Sequence, residues 1–425
     1  MLVGIVVDGA RRADSDGTEQ PDSDETEPPD SDETATDRRV IGIGEATPLP
    51  GWTESFDDCR RALPGGERPD DSTEDAAGTS PPADPRRGST PTLATPAARH
   101  AVTLAHRDAF ARRRGLSVAE TLIRDRPGEL SETVAVNATV GDGSVADTVE
   151  AVTSAIAAGF ETVKLKVGAR PLAEDTERVR RVVAAVEKER SGSVGEERSP
   201  EAVGEERPSA AVEDERPSAA VGEESTAGTS QRPAGTHATA DPGAPGPTIR
   251  VDANGAWDRQ TAREALVELD GLVEYVEQPV AAADTAGLTA LRGVGAPVAA
   301  DEALTVSDPF RLLAAGAVDV VVCKPAALGG LTRTLAVARA AAARGVDTVV
   351  TTTIDGVVAR TAATHLAAVL PGGERAHGVA TGQLLAHDIC DRGGHPVVDP
   401  VPVEDGRITV PDGPGLAGGA FETLL

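Results

Sequence analysis

Cysteine, aromatic residues, lysine and long apolar runs are all scarce in this 425-residue chain. Its three cysteines, Cys59, Cys323 and Cys390, are widely spaced and odd in number, which argues against a disulfide framework or a zinc site and for a reducing, cytoplasmic setting. The opening apolar run, MLVGIVV, is too short and too poorly flanked for a signal peptide or a membrane span, so membrane insertion is not expected. With aromatics at 2%, the core has to be built from Val, Leu and Ala. Acidic residues outnumber basic ones by 69 to 41, giving a formal charge of −28, so nucleic acid and anionic membrane are poor partners. Such acidity, with few bulky apolar residues, suits a halophilic cytoplasm in which salt screens the repulsion.

The shortage of lysine is the most informative. Only Lys164, Lys166, Lys188 and Lys324 occur, and the other 37 of the 41 basic residues are arginine. Arginine cannot lose its proton near neutral pH and lysine can, so lysines with an acid/base task would resist replacement.

Three stretches lack the means to build a core. Residues 11–39 are almost wholly Asp, Glu, Ser, Thr and Pro; residues from about 64 to 97 are rich in Pro, Gly and Asp; residues 189–247 contain no Leu, Ile, Met or aromatic. Such segments bury too little apolar surface to offset their ordering entropy and are expected to be disordered acidic insertions. The remainder alternates apolar runs (VAVNATV, TVKLKV, TIRVDA, LVEYVEQPV, APVAADEAL, VDVVVCKP, DTVVTTT) with segments of helical period such as SVADTVEAVTSAIAAG, TAREALVELDG and GLTRTLAVARAAAARG. That alternation predicts parallel strands joined by crossover helices.

Asp252, Glu277, Asp301 and Lys324 each end or follow an apolar run, at separations of 25, 24 and 23 residues. One βα unit per step puts these groups at one rim of a closed (β/α)8-type barrel, where such folds carry their chemistry. Singly, the carboxylates could be helix caps or partners of arginine. Three at equal steps form an all-oxygen set that suits Mg²⁺. In TVKLKVG, Lys164 and Lys166 share one strand face, and Lys324 comes from the opposite wall, four units on. Lysines flanking a divalent cation lower each other's affinity for a proton, so one can serve as a base while the cation stabilises the enediolate of a carboxylate substrate.

The motifs K164-L-K166, D252-A-N254, E277-Q-P, D301-E and C-K324-P resemble the enolase superfamily and its muconate-lactonizing subgroup. Within it, GIGEATPLPGWTES, TPAARHAVTLAHRDAFARRRG and HGVATGQLL are similar to the o-succinylbenzoate synthase family of menaquinone biosynthesis. The resemblance implies a modified (β/α)7β barrel at residues 131–395, an α+β capping domain at 1–130 and a C-terminal segment, 396–425, returning to the cap. It implies Mg²⁺, or Mn²⁺ in its place, on Asp252, Glu277 and Asp301, with Lys166 and Lys324 in acid/base or electrostatic roles. Lys164 would support the substrate carboxylate, Asn254 would supply a hydrogen bond, and Thr351, Thr352 and Thr353 on the seventh strand with Thr381 and Gly382 on the eighth would line the site. The implied reaction removes water from 2-succinyl-6-hydroxy-2,4-cyclohexadiene-1-carboxylate. N-acylamino acid racemisation, dipeptide epimerisation and muconate cycloisomerisation are the alternatives within the subgroup, and a non-catalytic scaffold the alternative outside it. A small carboxylate is the expected partner, with homo-oligomerisation open. One departure stands out. The family opens with a further strand and a substrate-covering loop, whereas Met1 here stands almost at the start of the hairpin LVGIVVDG…VIGIGEA, so a late start or a weakened lid is expected.

Overall fold

A computed structural model describes residues 1–7, 39–64, 91–124, 130–193, 246–371, 375–391 and 397–424. The stretches expected to be disordered insertions lie largely outside those residues. Two boundaries need correction, because a helix begins inside the second stretch and another runs into the third.

The cap begins with an antiparallel pair, β1 (Leu2–Val7) and β2 (Val40–Glu45), in register from Leu2 opposite Glu45 to Val7 opposite Val40. Three helices follow: α1 (Phe56–Ala62), α2 (Pro96–Arg114) and α3 (Val118–Ile123). Pro96 opens α2, three arginines occupy its last turn and Gly115, in the left-handed region, ends it. A reciprocal Ser117–Glu120 capping box starts α3.

The run VAVNATV, expected as one strand, divides into two. β3 (Thr133–Ala135) pairs with a distant strand near the C-terminus, and β4 (Ala138–Val140) enters the main sheet. α4 (Val145–Ala157) begins at a Ser144–Asp147 capping box, as its sequence predicts. Then come β5 (Thr162–Lys166), α5 (Leu172–Ser193), β6 (Thr248–Asp252), α6 (Arg259–Glu268), β7 (Val276–Glu277) and α7 (Thr285–Leu291). β8 (Val298–Ala300), α8 (Ala303–Val306), α9 (Pro309–Ala314), β9 (Val320–Cys323), α10 (Pro325–Leu328) and α11 (Leu331–Ala342) continue the series. β10 (Asp347–Val350), α12 (Val357–Ala367) and β11 (Arg407–Thr409), the partner of β3, complete it.

The seven-stranded sheet has the order β10-β9-β8-β7-β6-β5-β4, all parallel. Sequential order with a helix between most strands curls it into the barrel architecture expected from the spacing. The expected eighth strand is shorter than its sequence suggests. Residues 377–378 bridge to Val136 on one side and Thr351 on the other, spanning the gap between β10 and β4. The chain then turns into a 3-10 helix, Gly382–Leu384, so Thr381 and Gly382 lie beyond the strand and not on it.

Small side chains build the core, as the composition requires. Tyr275, Ala299, Val320, Val322 and Val349 pack together inside the barrel. A larger cluster joins Ile43 and Leu104 of the cap to Val357 and Leu366 of α12 and to Ile408, Leu416 and Phe421 near the C-terminus. A second compact unit, Val186–Gly246, contributes within the described residues only the end of α5 and Gly246. No helix among the described residues is long and apolar enough to cross a membrane.

Candidate active site

Strand alternation decides which side chains meet. In β5, Val163 and Leu165 are fully buried and Lys164 and Lys166 lie on the other face. Register places Lys166 beside Asp252 of β6, and Asp252 beside Glu277 of β7. Glu277 in turn pairs with Ala299 of β8, two residues before Asp301. Lys166 Nζ lies 2.7 Å from Asp252 Oδ2. Lys164 Nζ spans Asp252 Oδ2 at 3.1 Å and Glu277 Oε1 at 2.9 Å. Lys324, directly after β9, donates to both carboxylate oxygens of Asp301. Three lysines and three carboxylates from five neighbouring strands therefore share one rim.

They are not equally open. The Lys166 side chain is 35% exposed, against 14% for Lys164 and 10% for Lys324, so Lys166 is the amine an incoming molecule reaches most readily. Asn254 receives Lys166 Nζ on Oδ1 at 2.7 Å and donates to Glu302 Oε1 at 2.8 Å. Its φ of 46° lies in the left-handed region, which Asn tolerates better than most residues. Behind Lys166, the buried Arg178 donates to the Lys166 carbonyl and, at 3.0 Å, to Asp175.

Burial and charge oppose each other here. Burial works against the Lys164 ammonium, but Glu277, Asp252 and Asp301 outweigh it and hold its pKa well above the usual lysine range. Burial also opposes ionised Asp252, which Lys164 and Lys166 nonetheless keep well below the usual carboxylate range. Glu277 is pushed up to about 8, by burial first and then by the Asp252 charge. Its Oε2 is buried with no hydrogen-bond partner.

Among the described residues, no three His, Cys, Asp or Glu side chains stand as a finished metal cage. Lysine ammoniums bridge the carboxylates instead. The donor set still fits a hard divalent cation: Asp252, Glu277 and Asp301 offer only oxygen, from adjacent strand ends, and Glu277 Oε2 has no competing partner.

The threonine rim stands apart in its hydrogen bonding. Thr352 and Thr381 bond each other through their hydroxyls at 2.7 Å, and Thr351 donates to Gly378 O at 2.8 Å. Gly382 lies against the Arg360 guanidinium, where a Cβ would collide. Among the described residues, none of the hydrogen bonds of Thr352, Thr381 or Gly382 runs to the lysine–carboxylate group.

Two residues escaped the sequence reading. Trp52, on the segment after β2, places its ring centroid 3.5 Å from Lys324 Nζ. Gln278 is fully buried, and its Oε1 accepts from the amides of Asp301 and Ala303 at 3.1 Å each. Scarcity was the available signal for the first, one of two tryptophans, and the E277-Q-P motif for the second.

Residues 230–418 match the enolase C-terminal domain-like family. An o-succinylbenzoate synthase from Mycobacterium leprae is 43% identical over 148 residues, 34% of this chain and 43% of that enzyme. One from Thermobifida fusca is 40% identical over 172 residues, 40% of this chain and 53% of that enzyme. The chain thus spans about half the length of the curated relatives it matches. A muconate lactonizing enzyme from Klebsiella pneumoniae superposes with a TM-score of 0.61 at 26% identity, over 89% of this chain and 88% of that one. A dipeptide epimerase from Methylococcus capsulatus, solved with a Mg ion, shares the fold at a TM-score of 0.60 and 22% identity, over 90% and 91% of the two chains.

Proposed function

This chain carries an enolase-type barrel similar to the o-succinylbenzoate synthases, and from that likeness we propose that it dehydrates 2-succinyl-6-hydroxy-2,4-cyclohexadiene-1-carboxylate to 2-succinylbenzoate. One observation carries the proposal. Lys166 and Lys324 reach a shared rim from strands on opposite walls, with three carboxylates between them. We assign residues 1–130 and 396–425 to the cap and 131–395 to the barrel.

In this reading Lys166 Nζ takes the proton α to the substrate carboxylate. The electron pair moves into the carboxylate as an enediolate and returns to expel the hydroxide on the same face, which takes the proton back from Lys166 and leaves as water. Lys324 faces the other side of the ring and stabilises the anion with its ammonium. Lys164, held charged by its acidic neighbours, supports the substrate carboxylate, and Asn254 orients Lys166. Asp252, Glu277 and Asp301 would hold a divalent cation, Mg²⁺ first, which supplies Lewis-acid stabilisation of the enediolate charge. The reaction belongs to menaquinone biosynthesis and a cytoplasmic setting.

Purified protein with added Mg²⁺ should convert the cyclohexadiene acid to 2-succinylbenzoate. Lys166→Ala should lower kcat by about 10²–10⁴-fold, the usual worth of a general base, with the far-ultraviolet circular dichroism unchanged. Full turnover in that variant removes Lys166 from the mechanism. The same pair of lysines also suits two-base racemisation of an N-acylamino acid, and exchange of its α-proton with deuterium in solvent is the test. A dipeptide epimerase is a poorer fit, since the segment ATGQLL at 380–385 has no Asp-x-Asp pair for a substrate ammonium.

A further inference from the structure

Three carboxylates converge on the N-terminus of α12, and one of them comes from the cap. Glu45, the last residue of β2, accepts from Ala359 N at 3.0 Å. Asp388 accepts from Val357 N at 3.2 Å and lies 3.6 Å from Arg360, which is also held by Asp399 at 3.0 Å. Asp355, between β10 and α12, accepts from the hydroxyls of Thr47 and Thr353, each at 2.5 Å. All three carboxylates are buried, at 5% exposure for Glu45, 8% for Asp388 and 1% for Asp355. His100 of α2, whose charge would be felt by Asp355, is also buried, and neither of its ring nitrogens has a hydrogen-bond partner. Among the described residues, the Met1 ammonium, bound to Ala46 O at 2.7 Å, is the cation that acts on Glu45. A helix N-terminus favours nearby anions, but three buried carboxylates with so few cations cannot all ionise cheaply.

The same cluster anchors the segment that carries Trp52. Ala46 is tied to Met1 in both directions, and Thr47 to Asp355. Leu49 and Thr53 then close a turn around Trp52. At the far end, Glu54 accepts from Ala97 N at 3.0 Å and Ala98 N at 2.8 Å in the first turn of α2. Trp52 is thus suspended between two carboxylate anchors and laid on Lys324.

We propose that Glu45 is a positioning residue for substrate binding: protonated, it docks the cap on α12 and holds Trp52 over Lys324, and ionised, it faces Asp355 as a second buried anion and releases the Trp52 segment. This rests on Lys324 being part of the reacting site. Burial raises the Glu45 pKa from 4.5 to about 7; the Ala359 amide and the Met1 ammonium oppose the rise, and Asp355 and Asp388 add to it. Because the folded value lies above the unfolded one, the docking contribution is complete below pH 4.5 and is lost as the pH rises through about 7.

The test uses the full chain with Trp257→Phe, which leaves Trp52 as its one indole. Its fluorescence, followed from well below to well above pH 7, should show a one-proton transition that disappears when Glu45→Gln is added. That amide keeps an acceptor for Ala359 N and cannot ionise. Where Trp257→Phe does not fold, the parent and Glu45→Gln alone are compared, since Trp257 is common to both. With Mg²⁺ and the cyclohexadiene acid, KM of the parent should rise several-fold over the same window while kcat shows no matching step, and KM of Glu45→Gln should keep its low-pH value. A fluorescence transition that survives Glu45→Gln, or a flat signal in both proteins, overturns the proposal. A transition abolished by Glu45→Gln in a protein that never turns over the acid counts against the reaction and for the positioning role.

Discussion

Gln278 follows Glu277 with a φ of 40°, in a region that costs a non-glycine residue energy. What that backbone delivers is a fully buried amide whose oxygen holds the Asp301 and Ala303 amides and whose nitrogen donates to Val280 O at 2.8 Å. It therefore ties the end of β7 to the end of β8, and so two of the proposed metal-binding carboxylates to each other. Gln278→Ala leaves two buried amides without an acceptor, at about 1–3 kcal/mol, and should weaken Mg²⁺ binding by about 10–100-fold. Calorimetric titration with Mg²⁺ reads the second effect without substrate, and an unchanged affinity would remove Gln278 from that role. At this scale the sequence was legible where chemistry constrains residue type. An arginine-rich chain that keeps lysine at 164, 166 and 324 points to the rim directly. Trp52 was not legible, because its significance is a contact with Lys324 across elements far apart in the chain. The role of Gln278 was not legible because the E277-Q-P motif does not record which amides of the next strand its side chain meets.

The tightest packing between elements lies where β2 crosses α2. A Cβ at Gly44 would collide with the Ala101 carbonyl, and one at Gly42 with the Ala105 carbonyl and the Ala109 amide. Neither glycine has the positive φ that would require it, so the cause is close approach of strand to helix. Gly44→Ala should push β2 away from α2 and cost about 1–3 kcal/mol, the usual penalty of overpacking. It should also disturb Glu45 next to it. Urea denaturation checks the first effect, and an unchanged midpoint would mean that the helix yields without strain. Helix starts were readable from their caps, as Ser144 and Ser117 show. Strand ends were less so. VAVNATV reads as one mostly apolar run, yet Val136 and Asn137 leave their neighbours to bond Gly406 and His377, dividing the run between two sheets. HGVATGQLL likewise keeps only a two-residue bridge before turning. Both outcomes depend on which partner strand is present, and no local pattern records that.

Over the whole molecule, the formal charge of −28 is the dominant electrostatic fact. Like charges repel, and salt shortens the range of that repulsion to about 3 Å at 1 M. Raising KCl toward that strength should therefore stabilise the fold. A gain on the order of 1 kcal/mol corresponds to a Tm rise of roughly 2–4 °C for a domain of this class. Differential scanning fluorimetry across a KCl series checks it, and a flat or falling Tm would show that the charges are already spread too widely to matter.

The sequence by itself determined the barrel, through strand-ending polar residues one βα unit apart, and the identity of the lysines and carboxylates at its rim, through a composition that leaves few lysines to choose from. Those are properties of spacing and residue type, which one dimension carries in full. The tertiary structure alone decided that Lys324 pairs with Asp301 beneath Trp52, and that Glu45 leaves the cap to meet the N-terminus of α12 beside Asp355. The Lys324–Asp301 pair joins neighbouring strand ends 23 residues apart. The contacts of Trp52, Glu45 and Thr47 join residues hundreds of positions apart and arise only when cap and barrel pack around one core.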